Sequence, residues 1–435
     1  MQTKGVEIMI QLFKDSRFTR FFISRTSANI ADSIYSIVLL YFVQKSTSSV
    51  SFTSFTFTAI SAASIFSFLL GPLVDRYSPS LLASISLFAQ AILIMLVPFL
   101  IGDQYSSLIM ILILVFVASC FSMLFYPANN KMLPMLIRSP DRIVQANSMV
   151  ASSDQIVNIG GYLLGASVIL LVGMENTFFL ASGLLLLSGF IYIQLKRQLD
   201  KSNISEVQEN EPQKQVSSYF AELKEGYIFV IRNAFLKVML PFYALTNFAM
   251  SILIITVPAL AVSYGSPIYY SLLYIAFFAG IFAGSGLINI MKKNGLVIAL
   301  SWILMGVSLY LFAIAPVLWM KLSAVLMMGV FTGIINVLQT SMIQIITPTE
   351  LMGRVMAFLH TLSNAALPLG ALVGGMLSLR FPLESVLYIS AMIIVGCGII
   401  LLFIRSVRQF QMPSEKEQKE SAAGIKEPAI VEKLI

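Results

Sequence analysis

The sequence predicts an all-α membrane protein of twelve transmembrane helices, arranged as two pseudo-symmetric bundles of six. Three observations carry this. Of the 435 residues, 57% are hydrophobic and only 11% are charged, and the mean hydropathy is +0.86. The chain divides into twelve apolar stretches of 19 or more residues, each long enough to cross about 30 Å of hydrocarbon. A single polar tract, 196–214, separates six of them from the other six. A soluble core helix would keep charges on its outer face, whereas 322–349 contains no Asp, Glu, Lys, Arg or His.

The expected spans, in order, are 21–43, 52–74, 81–101, 107–128, 146–172, 177–195, 235–262, 269–290, 295–315, 320–345, 355–379 and 384–404. With both termini assigned to the cytoplasm, only Lys45, Lys321 and Arg380 flank the outer side, and the other 25 of 28 basic residues lie inside. The expected location is therefore the cell membrane, multi-pass, with both ends cytoplasmic. Positive-inside loops facing anionic lipid account for the net charge of +7, and no nucleic-acid partner is implied. Lys4, Lys14, Arg17 and Arg20 precede the first span without a small-residue cleavage site, so no removable signal peptide is expected.

Residues 196–214 are rich in Lys, Gln, Glu, Ser and Asn and read as a disordered linker. After them Tyr219, Phe220, Leu223, Tyr227, Val230 and Ile231 recur at helical spacing opposite Glu222, Lys224, Glu225 and Arg232, which predicts an amphipathic helix on the membrane surface. The expected divisions are a first bundle 1–195, a linker and surface helix 196–234, a second bundle 235–405 and a disordered tail 406–435. Sliding the sequence by 209 positions superposes Asp141 on Glu350, Gly161 on Gly370 and Gly165 on Gly374. That register lays the fifth span on the eleventh, as a parallel six-span repeat requires.

Cys120 and Cys397 fall inside spans and read as small core residues. No P-loop sequence and no metal-ligand cluster is read, so no ATP, cofactor or metal is expected. Energy, where needed, must come from an ion gradient or a partner.

Away from the ends of the apolar stretches lie four ionisable residues: Arg25, Asp32, Asp154 and His360. Such groups are costly in hydrocarbon and usually face a cavity or a partner. Arg25, Asn29, Asp32 and Ser36 are spaced four, three and four, so they form one stripe on the first span. Asp32 lies about eight residues inside the cytoplasmic edge, roughly 12 Å at the helical rise. It reads as a proton or cation-substrate site, with Arg25 as an intermittent counter-charge, or alternatively as a permanent hydrogen-bonding group. Asp154, with Gln155 and Asn158, reads as a coupling group or as interface solvation. His360, with Asn364 one turn on, reads as a titrating group or a helix contact. Asn247, Asn336 and Gln339 add neutral hydrogen-bonding groups in the second half, and abundant Phe, Tyr and Met suit an adaptable cavity.

At the inner end of the second span stands Gly71-Pro72-Leu73-Val74-Asp75-Arg76-Tyr77. It resembles the loop signature G-x-L-x-D-R of the major facilitator superfamily, in which the acid bridges to the start of the eleventh span and holds the cytoplasmic side closed. The resemblance implies that Asp75 meets the region of Gly353 and Arg354, joined by Arg138 or Arg142, while Arg76 pairs with an acid or with lipid phosphate. Ser78, Pro79 and Ser80 replace the family's basic run, which implies a weaker lock. Gly160-Gly161-Tyr162-Leu163-Leu164-Gly165 is similar to the exporters' span 5 motif GPxxGG, with Gly161 at the proline position and Leu164 at one glycine. Small residues four apart also pack helices in any membrane protein. With Pro368, Gly370, Gly374 and Gly375 as counterparts, spans 5 and 11 are expected to form the packed, moving interface between halves.

The segments Glu222-Leu223-Lys224-Glu225-Gly226-Tyr227, Asn29-Ile30-Ala31-Asp32-Ser33-Ile34-Tyr35 and Tyr126-Pro127-Ala128-Asn129 resemble the branch that includes macrolide-efflux and enterobactin-exporter-like proteins. The resemblance implies a monomeric exporter of an amphiphilic small molecule, drug-like or macrolide-like, driven by protons moving inward, with membrane lipid as its other partner. Export of a siderophore, metallophore, lipid or metabolite, or a non-transporting sensor, are the alternatives. The arginine that these exporters often carry in span 4 is missing; Ala118 stands in its place, so proton antiport rests on the acids and other coupling stays open. An intramembrane enzyme is disfavoured, because one isolated His360 without HExxH supplies no paired catalytic groups.

Overall fold

The protein is described here by a computed structural model that covers residues 12–65, 77–100, 105–137, 140–203, 216–288, 290–291, 293–348 and 351–408. In chain order its helices are α1 (Ser16–Thr47), α2 (Val50–Ala62), α3 (Pro79–Leu96), α4 (Tyr105–Leu136), α5 (Pro140–Val172), α6 (Met174–Asn203), α7 (Val216–Arg232) and α8 (Ala234–Ser263). They continue as α9 (Ile268–Leu287), α10 (Gly295–Ile314), α11 (Leu318–Ile346), α12 (Met352–Asn364), α13 (Ala366–Ser378), α14 (Leu383–Phe403) and the short α15 (Arg405–Arg408). Strands are absent among the described residues, as hydrocarbon demands of anything but a closed barrel.

Ten of these are long and apolar enough to cross a membrane, counting α12 and α13 as one span. Three of the twelve expected spans differ from a plain helix. The fifth is bent by 53° between its segments Ser152–Gly161 and Leu164–Val172, at the Gly160-Gly161 pair, where backbone rigidity is lowest. The second is an apolar helix over Val50–Ile65, and the remainder of 52–74 lies outside the described residues. The eleventh span is interrupted at Ala365. Pro368 explains this: it has no N–H for the carbonyl of Asn364 and its ring crowds that carbonyl.

Local chemistry sets the ends. Asp15 caps α1 by accepting from the Arg17 N–H at 2.8 Å, and Asn233 caps α8 through the N–H groups of Phe235 and Leu236 at 3.1 and 3.0 Å. Gly173 (φ 91°) turns α5 into α6, a left-handed conformation that glycine reaches without strain. Within the spans, hydroxyls turn back onto their own helix: Thr56, Ser84, Thr256 and Ser308 each donate to the carbonyl four residues earlier. Polar side chains are thereby satisfied without a partner helix.

The chain forms two compact units, one of residues 1–213 with 258–271 and one of 214–257 with 272–435. In the first, α3 packs on α4 and α6, and α1 packs on α5 and α6. In the second, α10 packs on α11 and α14. The third span thus meets the fourth and sixth, and the ninth meets the tenth and twelfth, which is the six-span repeat seen in three dimensions.

Glycines set the closest approaches. Gly280 and Gly284 of α9 lie against the backbone of Leu326, Gly329 and Val330, while Gly329 and Gly333 of α11 lie against Phe277 and Ile281. Two small-xxx-small stripes therefore face each other with carbonyls nearly touching Cα atoms. A methyl at Gly284 would collide with the Val330 carbonyl, whereas one at Gly286 would meet nothing within 4 Å. Gly284→Ala is expected to cost about 1–3 kcal/mol by overpacking, seen as a lower melting temperature of the detergent-solubilised chain. Gly286→Ala is expected to be neutral or slightly stabilising, and equal loss in both variants would contradict this account.

Candidate functional site

The polar stripe of α1 faces α4 and α5 in the first unit. Arg25, with its side chain 7% exposed, places Nη2 2.7 Å from Asp154 Oδ2 and Nε 3.3 Å from Asp154 Oδ1. This is the two-pronged geometry that a guanidinium offers a carboxylate. Asn29 Nδ2 donates to the same Asp154 Oδ1, and Thr26 and Ser153 share a hydrogen bond of 3.1 Å beside it. The Arg25 guanidinium also lies over the Tyr126 ring, 5.8 Å from its centroid, within cation–π range. Arg25, expected as an intermittent counter-charge for Asp32, here has Asp154 as its carboxylate partner, because the bent α5 carries that acid alongside α1.

Asp32 is held differently. Its Oδ2 accepts from Ser122 Oγ at 3.0 Å, and its backbone carbonyl accepts from Ser36 Oγ at 2.8 Å. No ion pair to Asp32 occurs among the described residues. Farther along α4, the buried Asn129 accepts from the hydroxyl of the buried Tyr192 and donates to the Phe125 carbonyl at 2.7 Å. Ser24 ties α1 to α6 through the Ser188 carbonyl at 2.8 Å.

Reasoning from the sequence missed Ser122 and Tyr192 and quoted Tyr126 and Asn129 only within a motif. A signal was present. Ser122, Tyr126 and Asn129 are spaced four and three, the same spacing as Arg25, Asn29 and Asp32. Consecutive spans run in alternate directions, so two such stripes on the first and fourth spans lie antiparallel; Ser122 meets Asp32, and the long Arg25 side chain reaches the Tyr126 ring one turn on.

The remaining expected residues fall in several places. Gln155 is exposed on α5. Gly161 lies against Ser33, and a methyl at Gly165 would fall 2.7 Å from Ile37 Cδ1, so both glycines seat α5 on α1; Gly160 has nothing within 4 Å of such a methyl. In the second unit, Gly370 lies against the Phe248 carbonyl and Ser251, and a methyl at Gly374 would fall 2.9 Å from Ile252 Cγ1. The two glycine pairs related by 209 residues thus do the same thing in their own units: each seats the fifth span of its half on the first. Pro368 is buried and Asn364 half-buried at the interruption of the eleventh span, where Asn247 Nδ2 donates to the Ser363 carbonyl at 3.0 Å. Asn336 is exposed and Gln339 half-buried on α11.

Of the expected lock, Gly71, Asp75 and Arg76 lie outside the described residues, as do the side chains of Arg142 and His360. Arg354 forms an ion pair with Glu225 of α7. Gly226 lies against the Arg354 backbone, and Tyr227 meets Phe358 edge to face at 5.6 Å.

The Arg25–Asp154 pair is the least replaceable contact here, since removing one partner strands the other in a poorly solvated site. Because Asp154 keeps 26% of its side chain exposed, Arg25→Gln or Asp154→Asn is expected to cost roughly 2–3 kcal/mol, less than the loss from a fully buried pair. The double variant Arg25→Met/Asp154→Leu is expected to lose less than either single one. A thermodynamic cycle from denaturant unfolding in detergent checks this, and additive losses would contradict it.

Comparison with known proteins agrees with this architecture. The chain is 25% identical over 360 residues to an uncharacterized MFS-type transporter, YvqJ, of Bacillus subtilis (strain 168), covering 81% of this chain and 83% of that protein. It is 23% identical over 202 residues to macrolide efflux protein A of Streptococcus pyogenes, covering 45% of this chain and 50% of that one. In three dimensions it resembles a bacterial homologue of the iron transporter ferroportin in an inward-facing state, with a TM-score of 0.64, 14% identity, and coverage of 88% of this chain and 97% of that one. It also resembles the peptide transporter POT in complex with sulfate, with a TM-score of 0.61, 15% identity and coverage of 89% and 93%. At these identities the structural likenesses speak to fold alone. The family profile of the Major Facilitator Superfamily matches residues 21–294 and 239–434, and the chain belongs to that family of membrane transporters.

Proposed function

We propose that the protein is a secondary active exporter of the cell membrane, moving an amphiphilic small molecule of the drug or macrolide type outward by alternating access in antiport with protons. The observation that carries this reading is the contrast between two carboxylates in one polar cluster. Asp154 has Arg25 as a fixed counter-charge. Asp32 has a hydroxyl partner, Ser122, and no cation among the described residues. A lone carboxylate in a membrane span is costly while charged, and a proton is the simplest species that neutralises it and leaves again. The macrolide efflux protein of Streptococcus pyogenes supports the substrate class, through half its length.

In this reading residues 1–195 and 235–405 form the two bundles, 196–234 the cytoplasmic connection and surface helix, and 406–435 a cytoplasmic tail. Both termini face the cytoplasm, and the working unit is a monomer. Asp75 and Arg76 would lock the inner side with Arg142 and Arg354, while Gln155, Asn336, Gln339, His360 and Asn364 would supply the polar contacts of the transport path.

Flux in inverted membrane vesicles tests the proposal. With an imposed pH gradient, a panel of fluorescent amphiphiles should accumulate with the intact chain. Asp32→Asn should lower gradient-driven uptake by about tenfold or more, the usual scale for a lost proton-transfer group, while Gln155→Ala should not. Uptake that ignores the gradient, or that survives Asp32→Asn, would overturn the coupling assigned to Asp32.

A further inference from the structure

Helices α8 and α13 touch where Gly370 and Gly374 lie against Phe248, Ser251 and Ile252. Toward the basic end of the second unit they part. Between them lies a cleft of about 360 Å³, walled by Leu240, Pro241 and Ala244 of α8 and by Leu362, Ala366 and Leu369 around the interruption of the eleventh span. Prolines stand on both sides: Pro368 breaks the eleventh span at Ala365, and Pro241 cannot donate to the carbonyl of Lys237 on α8. Every side chain named on the walls is aliphatic, so the cleft holds water poorly and suits an alkyl chain.

A cation stands at its mouth. Lys237 precedes Leu240, Pro241 and Ala244 by three, four and seven residues, so it lies on the same stripe of α8, about 5–10 Å along the helix axis. Lys237 is exposed and has no partner among the described residues, and Arg232 is exposed five residues earlier. Glu225, on the preceding helix α7, is paired with Arg354. We propose that this cleft binds one anionic membrane phospholipid, its acyl chain between α8 and the interrupted span and its phosphate on Lys237. An anion above an apolar slot is the layout of a phospholipid, and anionic lipid is drawn to basic residues at the membrane surface. The site is independent of what the protein transports. It ties lipid composition to the helix that carries Arg354.

Native mass spectrometry of the full chain in detergent tests this, with phosphatidylglycerol and phosphatidylcholine of identical acyl chains added in equal amounts. One phosphatidylglycerol is expected to remain bound under collision energies that strip phosphatidylcholine. Lys237→Gln should reduce its retention about fivefold, the worth of one lysine near an anionic surface, and Lys237→Arg should keep it. Ala366→Phe, or Ala244→Leu from the opposite wall, should fill the cleft and remove retention of both lipids; the variant whose melting temperature matches the parent's is the one read. Equal retention of both lipids by the parent, or unchanged retention in Lys237→Gln and in the filled variant, overturns the site. So does retention of a cytosolic amphiphile in place of any phospholipid.

Discussion

Hydrocarbon offers helices neither hydrogen bonds nor a hydrophobic reason to associate, so the whole molecule depends on how closely its backbones can approach. Small residues decide that. Gly280, Gly284, Gly329 and Gly333 bring α9 and α11 together, and Gly161 and Gly165 seat α5 on α1 as Gly370 and Gly374 seat α13 on α8. The second and third sets are the same device used twice, once per unit, which is what a duplicated six-span plan predicts. Where the glycines stop, as around Ala365, the helices part and an aliphatic cleft opens.

Polar groups follow from the same constraint. Serines and threonines bond to their own helix, and several of the groups that do not are gathered in one cluster of the first unit. Arg25, Asn29 and Asp154 neutralise and saturate one another, with the Tyr126 ring as a further contact. Tyr192 and Asn129 form a second closed pair. The surface pair Arg354–Glu225 is another matter, since ion pairs in contact with water contribute about 0–1 kcal/mol. Gly226 and Tyr227 packing on Arg354 and Phe358 does more to hold α7 to α12 than the charges do.

Much of this was legible before any coordinates. The ends of most spans fall within a few residues of the expected bounds, because hydrocarbon thickness and a fixed helical rise leave little freedom. The helix at 216–232 was readable from its amphipathic period. The glycine pair of α5 was read as a packing motif, and the bend beside it is seen only in the structure. Arg25's partner was not legible: a charge seven residues away on the same helix looked available, and nothing local signals an acid on another span. The glycine stripes of α9 and α11 were equally silent, since two glycines in an apolar run do not say which helix they meet. The facing stripes on α1 and α4 could have been paired, because both repeat the same four-and-three spacing.

The contrast between Asp154 and Asp32 becomes more pointed when the bend of α5 is placed beside it. Asp154 is fastened to Arg25 and Asn29, so this part of α5 moves with α1. Two turns on, Gly161 rests on Ser33, the neighbour of Asp32, and there α5 changes direction by 53°. A contact this close cannot absorb a change in that angle without shifting Ser33, since packed helices transmit displacement rather than damp it. In the proposed exporter, straightening or bending α5 would therefore be felt next to Asp32, while the Arg25–Asp154 clasp keeps the helices in register. In that reading the paired acid would serve as the fulcrum, and the acid left without a cation would be the one whose surroundings change.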